Sequence, residues 1–302
     1  MSVIENTLKR LQGQRPATSP AVEPDPQGYG TVAAAGAARR REAPATDGAT
    51  NARQLIIDQN VLRAAGMLPP VHQEHELAQQ YRRIKRPLIN NALGRGVARL
   101  ASGNLIMITS AVPGEGKTFM SLNLALSMRL EEDVTVLLID GDVVNPRLTQ
   151  ILGMDGQPGL LDLVKDPALA PDSVIVATEL PGLAFLPAGH QESNATELVA
   201  SARMHQVISR LGNENAARLV LFDSAPLLIT TEAQALAHFA GQVVMVVQAD
   251  QTAQHVVLDA LETLAEDKPV FLVLNQIIRH SHAGYYYEYG SGAKWREQAG
   301  SS

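Results

Sequence analysis

Leu105-Ile-Met-Ile-Thr-Ser-Ala-Val-Pro-Gly-Glu-Gly-Lys-Thr-Phe119 is the stretch on which the fold turns. It reads as a buried strand, a glycine-containing turn and the opening of a helix that continues through Leu130. From Ala111 the turn follows P-loop spacing up to Gly116-Lys117-Thr118, with alanine where the first glycine usually stands. Glycines in such a turn let main-chain N–H groups converge on phosphate oxygens; Lys117 adds a fixed positive charge and Thr118 a hydroxyl for Mg²⁺. Val112, Pro113, Gly114, Glu115 and Phe119 complete the segment expected to wrap a nucleotide. A plain glycine turn would share the spacing, but the apolar strand before it and the amphipathic run after it favour the phosphate cradle.

Downstream, short apolar runs recur without alternation: Val134–Ile139, Leu183–Leu186, Leu219–Phe222, Val243–Val247 and Val270–Leu274. Such runs suit parallel strands buried on both faces, and helical segments lie between them. The expectation is an α/β fold with a doubly wound, mostly parallel sheet, a P-loop NTPase of the MinD/ParA-like type spanning residues 52–279. Its ligand should sit at the carboxyl ends of the strands. Asp140 and Asp142 close one run and Asp223 another, so all three point at the crevice the P-loop faces. There a carboxylate can hold Mg²⁺ directly or through water. One such aspartate alone would pass for a turn residue or helix cap.

Upstream, Val3, Ile4, Leu8 and Leu11 fall at helical spacing, predicting a short amphipathic helix over residues 1–12. Residues 13–51 are rich in Pro, Ala, Gly, Thr and Arg, a composition that cannot repay the entropy of ordering and reads as a flexible linker. Order resumes near Gln54–Asp58, and a helix is expected over Gln73–Leu88. No acidic residue occurs between Leu77 and Gly114, whereas Arg82, Arg83, Lys85, Arg86, Arg95 and Arg99 all fall there. That asymmetry fits either a solvated helix face or an interface with an acidic neighbour.

The chain has 302 residues and a net charge of −6, which argues against a general nucleic-acid binder. It contains no cysteine, so disulfides and cysteine metal sites are excluded. Nothing approaches about 18 consecutive apolar residues, and the N-terminus lacks a signal-peptide core. A cytoplasmic protein attached to the inner membrane only through a partner is the expectation.

The C-terminal segment, 280–302, breaks the α/β pattern. Tyr285, Tyr286, Tyr287 and Tyr289 are four of the chain's six tyrosines, set between glycines with no apolar periodicity. A sticky, partly ordered tail would account for them; so would a set of phosphate acceptors. A tyrosine hydroxyl titrates near about 10, so transfer at neutral pH needs a carboxylate to take its proton. The Asp140/Asp142 pair has one to spare.

Together, Ala111–Thr118, Leu137–Asp142, Leu221–Pro226 and the tyrosine cluster resemble the Walker A, A′ and B motifs and tail of the bacterial tyrosine kinases. The nearest likeness is to the exosortase (PEP-CTERM)-associated tyrosine autokinases. The opening Met1–Glu5, Tyr81–Leu88, Pro187–Gly189 with Ala195–Leu198, and Thr230–Ala233 all fit that group. The resemblance covers residues 1–12 and 54–290. It implies a protein tyrosine autokinase that uses ATP and Mg²⁺, forms a ring of identical subunits and places each tail in a neighbour's site, regulating exopolysaccharide chain length and export. It also implies a membrane-bound polysaccharide chain-length determinant protein as activator and a tyrosine phosphatase as antagonist. On this mapping Lys117 neutralises β/γ-phosphate charge, while Thr118, Asp223 and Asp142 belong to the metal. One of Asp140 and Asp142 takes the tyrosine proton. Asn275 either reads the adenine edge or is a strand-end turn residue.

Two departures stand out. The family's helix motif for subunit contacts, Glu-x-x-Arg-x-x-Arg, falls on Gln79, Arg82 and Lys85, losing one charge and turning one guanidinium fork into a point charge. The arginine often found two positions after the second aspartate is Val144 here, with Arg147 nearby. The competing readings are a partitioning-type ATPase switch and a nucleotide-binding adaptor of a polysaccharide exporter. The former carries a signature lysine at the position of Val112.

Overall fold

The apolar runs do form strands, buried on both faces except for the last, Val270–Asn275, an edge strand whose Leu272 and Leu274 are exposed. A computed structural model describes residues 54–277 except position 216. The expected helix at 1–12, linker at 13–51 and tail at 280–302 lie outside the described residues. In chain order the elements are α1 (Gln59–Ala64), α2 (Glu74–Leu93), β1 (Leu105–Ser110), α3 (Lys117–Met128), β2 (Thr135–Asp140), α4 (Arg147–Ile151), α5 (Leu160–Lys165), β3 (Val176–Ala177), β4 (Leu183–Leu186), α6 (Ala195–Val199), α7 (Ala202–Asn213), β5 (Arg218–Asp223), α8 (Thr231–Phe239), β6 (Gln242–Gln248), α9 (Gln254–Glu262) and β7 (Val270–Asn275).

The strands form one seven-stranded sheet in the order β3-β4-β2-β5-β1-β6-β7. All pairings are parallel except β3 with β4. The two-residue β3 is not anticipated from sequence, because it is too short for any periodicity. Alternate strand residues feed two cores. Met107, Ile139 and Phe222 pack against α5, α7, α8 and α9; Ile108, Leu138 and Leu221 pack against α2 and α3.

Topology then places the site. β1 lies between β5 and β6, so the loop leaving β1 opens beside the carboxyl end of β5. Register sets Ile108 opposite Asp223, and Asp140 opposite Asp223. By the two-residue period of a strand, Asp140 and Asp223 follow Leu138 and Leu221 onto the α3 side of the sheet.

Helix α2 runs five residues beyond the expected Leu88, ending at Leu93 with Gly94 in the left-handed region at φ +71°. Pro87 sits inside it. The carbonyl it leaves without a donor belongs to exposed Arg83, where solvent can serve. Lys85 differs from the rest of the basic stripe: it is buried, donating to the Ser127 carbonyl at 2.7 Å and pairing with Glu131 at 2.8 Å. It thus neutralises the C-terminal end of α3 rather than facing outward. Arg82, Arg83 and Arg86 stay exposed and, with Arg95, line a groove of about 630 Å³.

Candidate active site

Strand β1 delivers the chain to Ala111, and the turn from Val112 to Gly116 closes onto the N-terminus of α3. Gly114 and Gly116 carry φ +89° and +91°, conformations that favour glycine. Gly116 is also the N-cap of α3. The loop therefore aims main-chain N–H groups and the positive end of a helix at one point.

Glu115 is only 1% exposed, and its carboxylate is turned into the protein. It accepts from the Val112 N–H at 2.9 Å, from the Gln248 N–H at 3.1 Å and from the Thr252 hydroxyl. The side chain is thus a brace between the loop and the end of β6, leaving the main chain as its route to a phosphate. Val112 N–H is engaged in that brace. The Phe119 side chain lines a cleft of about 400 Å³ with Leu68, Pro69, Pro70 and Leu77 on the flank of α3. Asn275 donates from Nδ2 to the Glu115 carbonyl at 2.8 Å, and Gln276 from Nε2 to the Gly114 carbonyl at 2.8 Å. Whatever Asn275 does toward a base, its amide nitrogen pins the loop.

Three carboxylates converge behind the turn. Lys117 Nζ lies 3.7 Å from Asp142 Oδ2, both side chains largely buried. Asp223 Oδ1 accepts from Ser121 Oγ at 2.9 Å, and the neighbouring Thr118 hydroxyl helps to favour the ionised form of the same carboxyl. Asp140 Oδ2 accepts from the Thr149 N–H at 2.7 Å and its hydroxyl at 2.8 Å, while buried Asp140 Oδ1 has no partner among the described residues. An orphaned carboxylate oxygen beside a second carboxylate and a threonine hydroxyl is a donor set for a hard cation. No group of three or more His, Cys, Asp or Glu forms a closed metal cage among the described residues. Mg²⁺ keeps several waters and takes one or two carboxylates, which the Asp140, Asp142 and Asp223 set can supply. Asp142, Asp223 and Thr118, expected at the metal, all stand within this cluster.

Burial and then the facing charge of Asp223 push the Asp140 carboxyl up to about 8. Burial likewise raises Asp223 and Asp142, opposed in each by the charge of Lys117. The metal-free folded protein therefore retains a proton that the unfolded chain, with carboxyls near about 4, has lost. Because the folded value is the higher one, this group's contribution to stability is full below about pH 4 and declines as pH rises through about 8, by up to about 1.4 kcal/mol per pH unit. In EDTA, the urea midpoint should fall from about pH 5 to about pH 8, and Asp140→Asn should flatten that fall. An equally steep fall in the variant would place the retained proton elsewhere.

Sequence reading brings Lys117, Thr118, Asp140, Asp142 and Asp223 together as the structure does. It misses the braces: Thr149 on Asp140, Ser121 on Asp223, Thr252 on Glu115 and Gln276 on Gly114. A threonine at the first turn of α4 is a visible clue to the first. The others depend on strand order. The tyrosines expected as acceptors, Tyr285, Tyr286, Tyr287 and Tyr289, lie outside the described residues.

No family model matches the chain. Among curated proteins, the tyrosine-protein kinase YwqD of Bacillus subtilis is 30% identical over 216 residues, covering 69% of this chain and 86% of YwqD. The succinoglycan biosynthesis transport protein ExoP of Rhizobium meliloti is 32% identical over 205 residues, 66% of this chain but 25% of ExoP. The chain spans about a quarter of the length of the first relatives it matches. Among solved structures, the kinase domain of VpsO matches with a TM-score of 0.56 at 26% identity, covering 69% of this chain and 100% of that domain. Since YwqD is matched over most of its own length, the chain belongs to the bacterial tyrosine kinase family.

Proposed function

We propose that the chain is an ATP-dependent protein tyrosine autokinase that phosphorylates Tyr285, Tyr286, Tyr287 and Tyr289 and so regulates exopolysaccharide synthesis and export. The observation that carries this reading is the convergence of Lys117 and three buried carboxylates on a positive-φ loop at the carboxyl end of β1. Family membership and the name of ExoP support it. In the transfer, the tyrosine oxygen bonds the γ-phosphorus of ATP, the bond to the β,γ-bridging oxygen breaks, and ADP leaves. The phenolic proton passes to one carboxylate of the Asp140/Asp142 pair. Lys117 meets the charge on the β- and γ-phosphates, and the loop N–H groups orient them. Bound Mg²⁺, held by Asp223, Thr118 and Asp142, would neutralise phosphate charge. Burial that lifts the carboxyls also makes them stronger proton acceptors once ionised.

The same reading includes a ring of subunits with each tail in a neighbour's site, a membrane-bound chain-length determinant protein as activator, and a tyrosine phosphatase. Among the described residues no helix is long and apolar enough to cross a membrane, so attachment to the inner membrane is assigned to the partner. Lys85 cannot serve the subunit contact the resemblance implies, because Ser127 and Glu131 hold it inside. That leaves Arg82, Arg83 and Arg86 for any such contact.

A kinase and an ATPase switch differ in where the γ-phosphate goes. With γ-labelled ATP, label should appear on tyrosine faster than as free phosphate. Release of label only as inorganic phosphate would favour the ATPase switch and overturn the kinase reading.

A further inference from the structure

The P-loop is gripped from outside its own motif. Asn275 and Gln276, 160 and 162 positions from their partners, donate side-chain N–H groups to the Glu115 and Gly114 carbonyls. These carbonyls belong to the peptide planes that must present N–H groups to phosphate. In a trans peptide the C=O and N–H point to opposite sides. Holding the Gly114 carbonyl outward therefore turns the Glu115 N–H inward, and holding the Glu115 carbonyl outward does the same for Gly116. The clasp fits closely: a Cβ on Gly116 would lie 2.1 Å from Asn275 Nδ2.

Gln276 itself is unusual. It carries φ +57°, a region a non-glycine side chain adopts only when its surroundings demand it. Yet it is exposed, so packing does not hold it there. Among the described residues its side chain donates to the Gly114 carbonyl.

We propose that Gln276 is a positioning residue for bound nucleotide, and that through it the end of β7 is linked to the grip on phosphate. Its amide fixes the Glu115 N–H toward the phosphates, and the chain leaves β7 directly through its strained backbone. Linkage of this kind is reciprocal: nucleotide that needs the clasp also steadies the end of β7. The proposal rests on the nucleotide-binding half of the reading above and not on transfer to tyrosine.

The test uses the full chain, with MgADP titrated calorimetrically into wild type, Gln276→Ala and Gln276→Glu. Loss of one hydrogen bond should weaken ADP binding roughly 2- to 12-fold in Gln276→Ala. Gln276→Glu should be at least as weak, because a carboxylate cannot donate and repels the Gly114 carbonyl. Nucleotide-free melting should be unchanged in both. In hydrogen exchange, ADP should protect residues 270–277 in wild type and fail to do so in Gln276→Ala. Equal ADP affinity in all three proteins would overturn the proposal. So would a loss of affinity that tracked a fall in nucleotide-free melting, which marks a merely structural role. A wild type that binds no ADP would sink the nucleotide reading, and this proposal with it; ADP binding without phosphotyrosine would sink only the kinase reading.

Discussion

Lys117→Met should lower tyrosine phosphorylation by at least about 10²–10³-fold while leaving the fold in place. Methionine keeps the length and apolar stem of the lysine, so packing at the start of α3 is preserved. What disappears is the cation 3.7 Å from Asp142. Its charge also opposes the upward shift of both Asp142 and Asp223. Without it, three buried carboxylates would face a triphosphate with no side-chain counter-charge between them. The effect should therefore appear in kcat as well as in KM for ATP, because the charge on the transferring phosphoryl group is met only as the reaction proceeds. The rate of phosphotyrosine formation at saturating ATP, with thermal melting alongside, measures this. A loss smaller than tenfold would mean that Lys117 does not face the transferring phosphate.

Gly116→Ala should be the most damaging change that removes no chemical group. Alanine at φ +91° costs about 1–2 kcal/mol in backbone strain alone. Its Cβ would also fall 2.1 Å from Asn275 Nδ2, so Asn275 must move and release the Glu115 carbonyl. Gly116 caps α3, and its carbonyl accepts from the Met120 N–H at 2.9 Å, so the helix start shifts with it. A melting point lower by about 2–8 °C and ADP binding weakened more than about tenfold are expected. Gly114→Ala is the informative comparison: φ is +89°, but nothing lies within 4 Å of its added Cβ. It should show the strain without the collision. If the two variants melted and bound alike, the Asn275 contact would contribute nothing.

The parts of the site legible in the sequence are those written into contiguous stretches. Leu105–Ser110 followed by two glycines, Lys117 and Thr118 is a local pattern, and so are apolar runs ending in Asp140 and Asp223. Knowing that strands of a parallel sheet end at one edge is enough to bring them together. What stayed hidden depends on which strands are neighbours and where side chains turn. Glu115 reads as part of the cradle, yet its carboxylate swings back to Gln248 and Thr252 because β6 lies beside β1. Lys85 reads as one of a basic stripe. Only the packing of α2 on α3 shows that it serves the Ser127 carbonyl and Glu131. Gln276 has no motif at all; its role comes from the position of β7 at the sheet edge and from its own positive φ. Helix α2 runs past its expected end at Leu88 to Leu93, with Pro87 inside it. The carbonyl it deprives of a donor belongs to Arg83 on the exposed side, so the helix tolerates it.

Transfer of the γ-phosphate of ATP held by this loop to the chain's own tyrosines is tested most directly by a phosphopeptide map. Wild type and Lys117→Met are incubated with ATP and Mg²⁺, digested and mapped side by side. Phosphotyrosine at Tyr285, Tyr286, Tyr287 and Tyr289 in wild type, and none in the variant, is the predicted result. No phosphotyrosine between residues 285 and 289, even with the cytoplasmic segment of the membrane partner supplied, would contradict it.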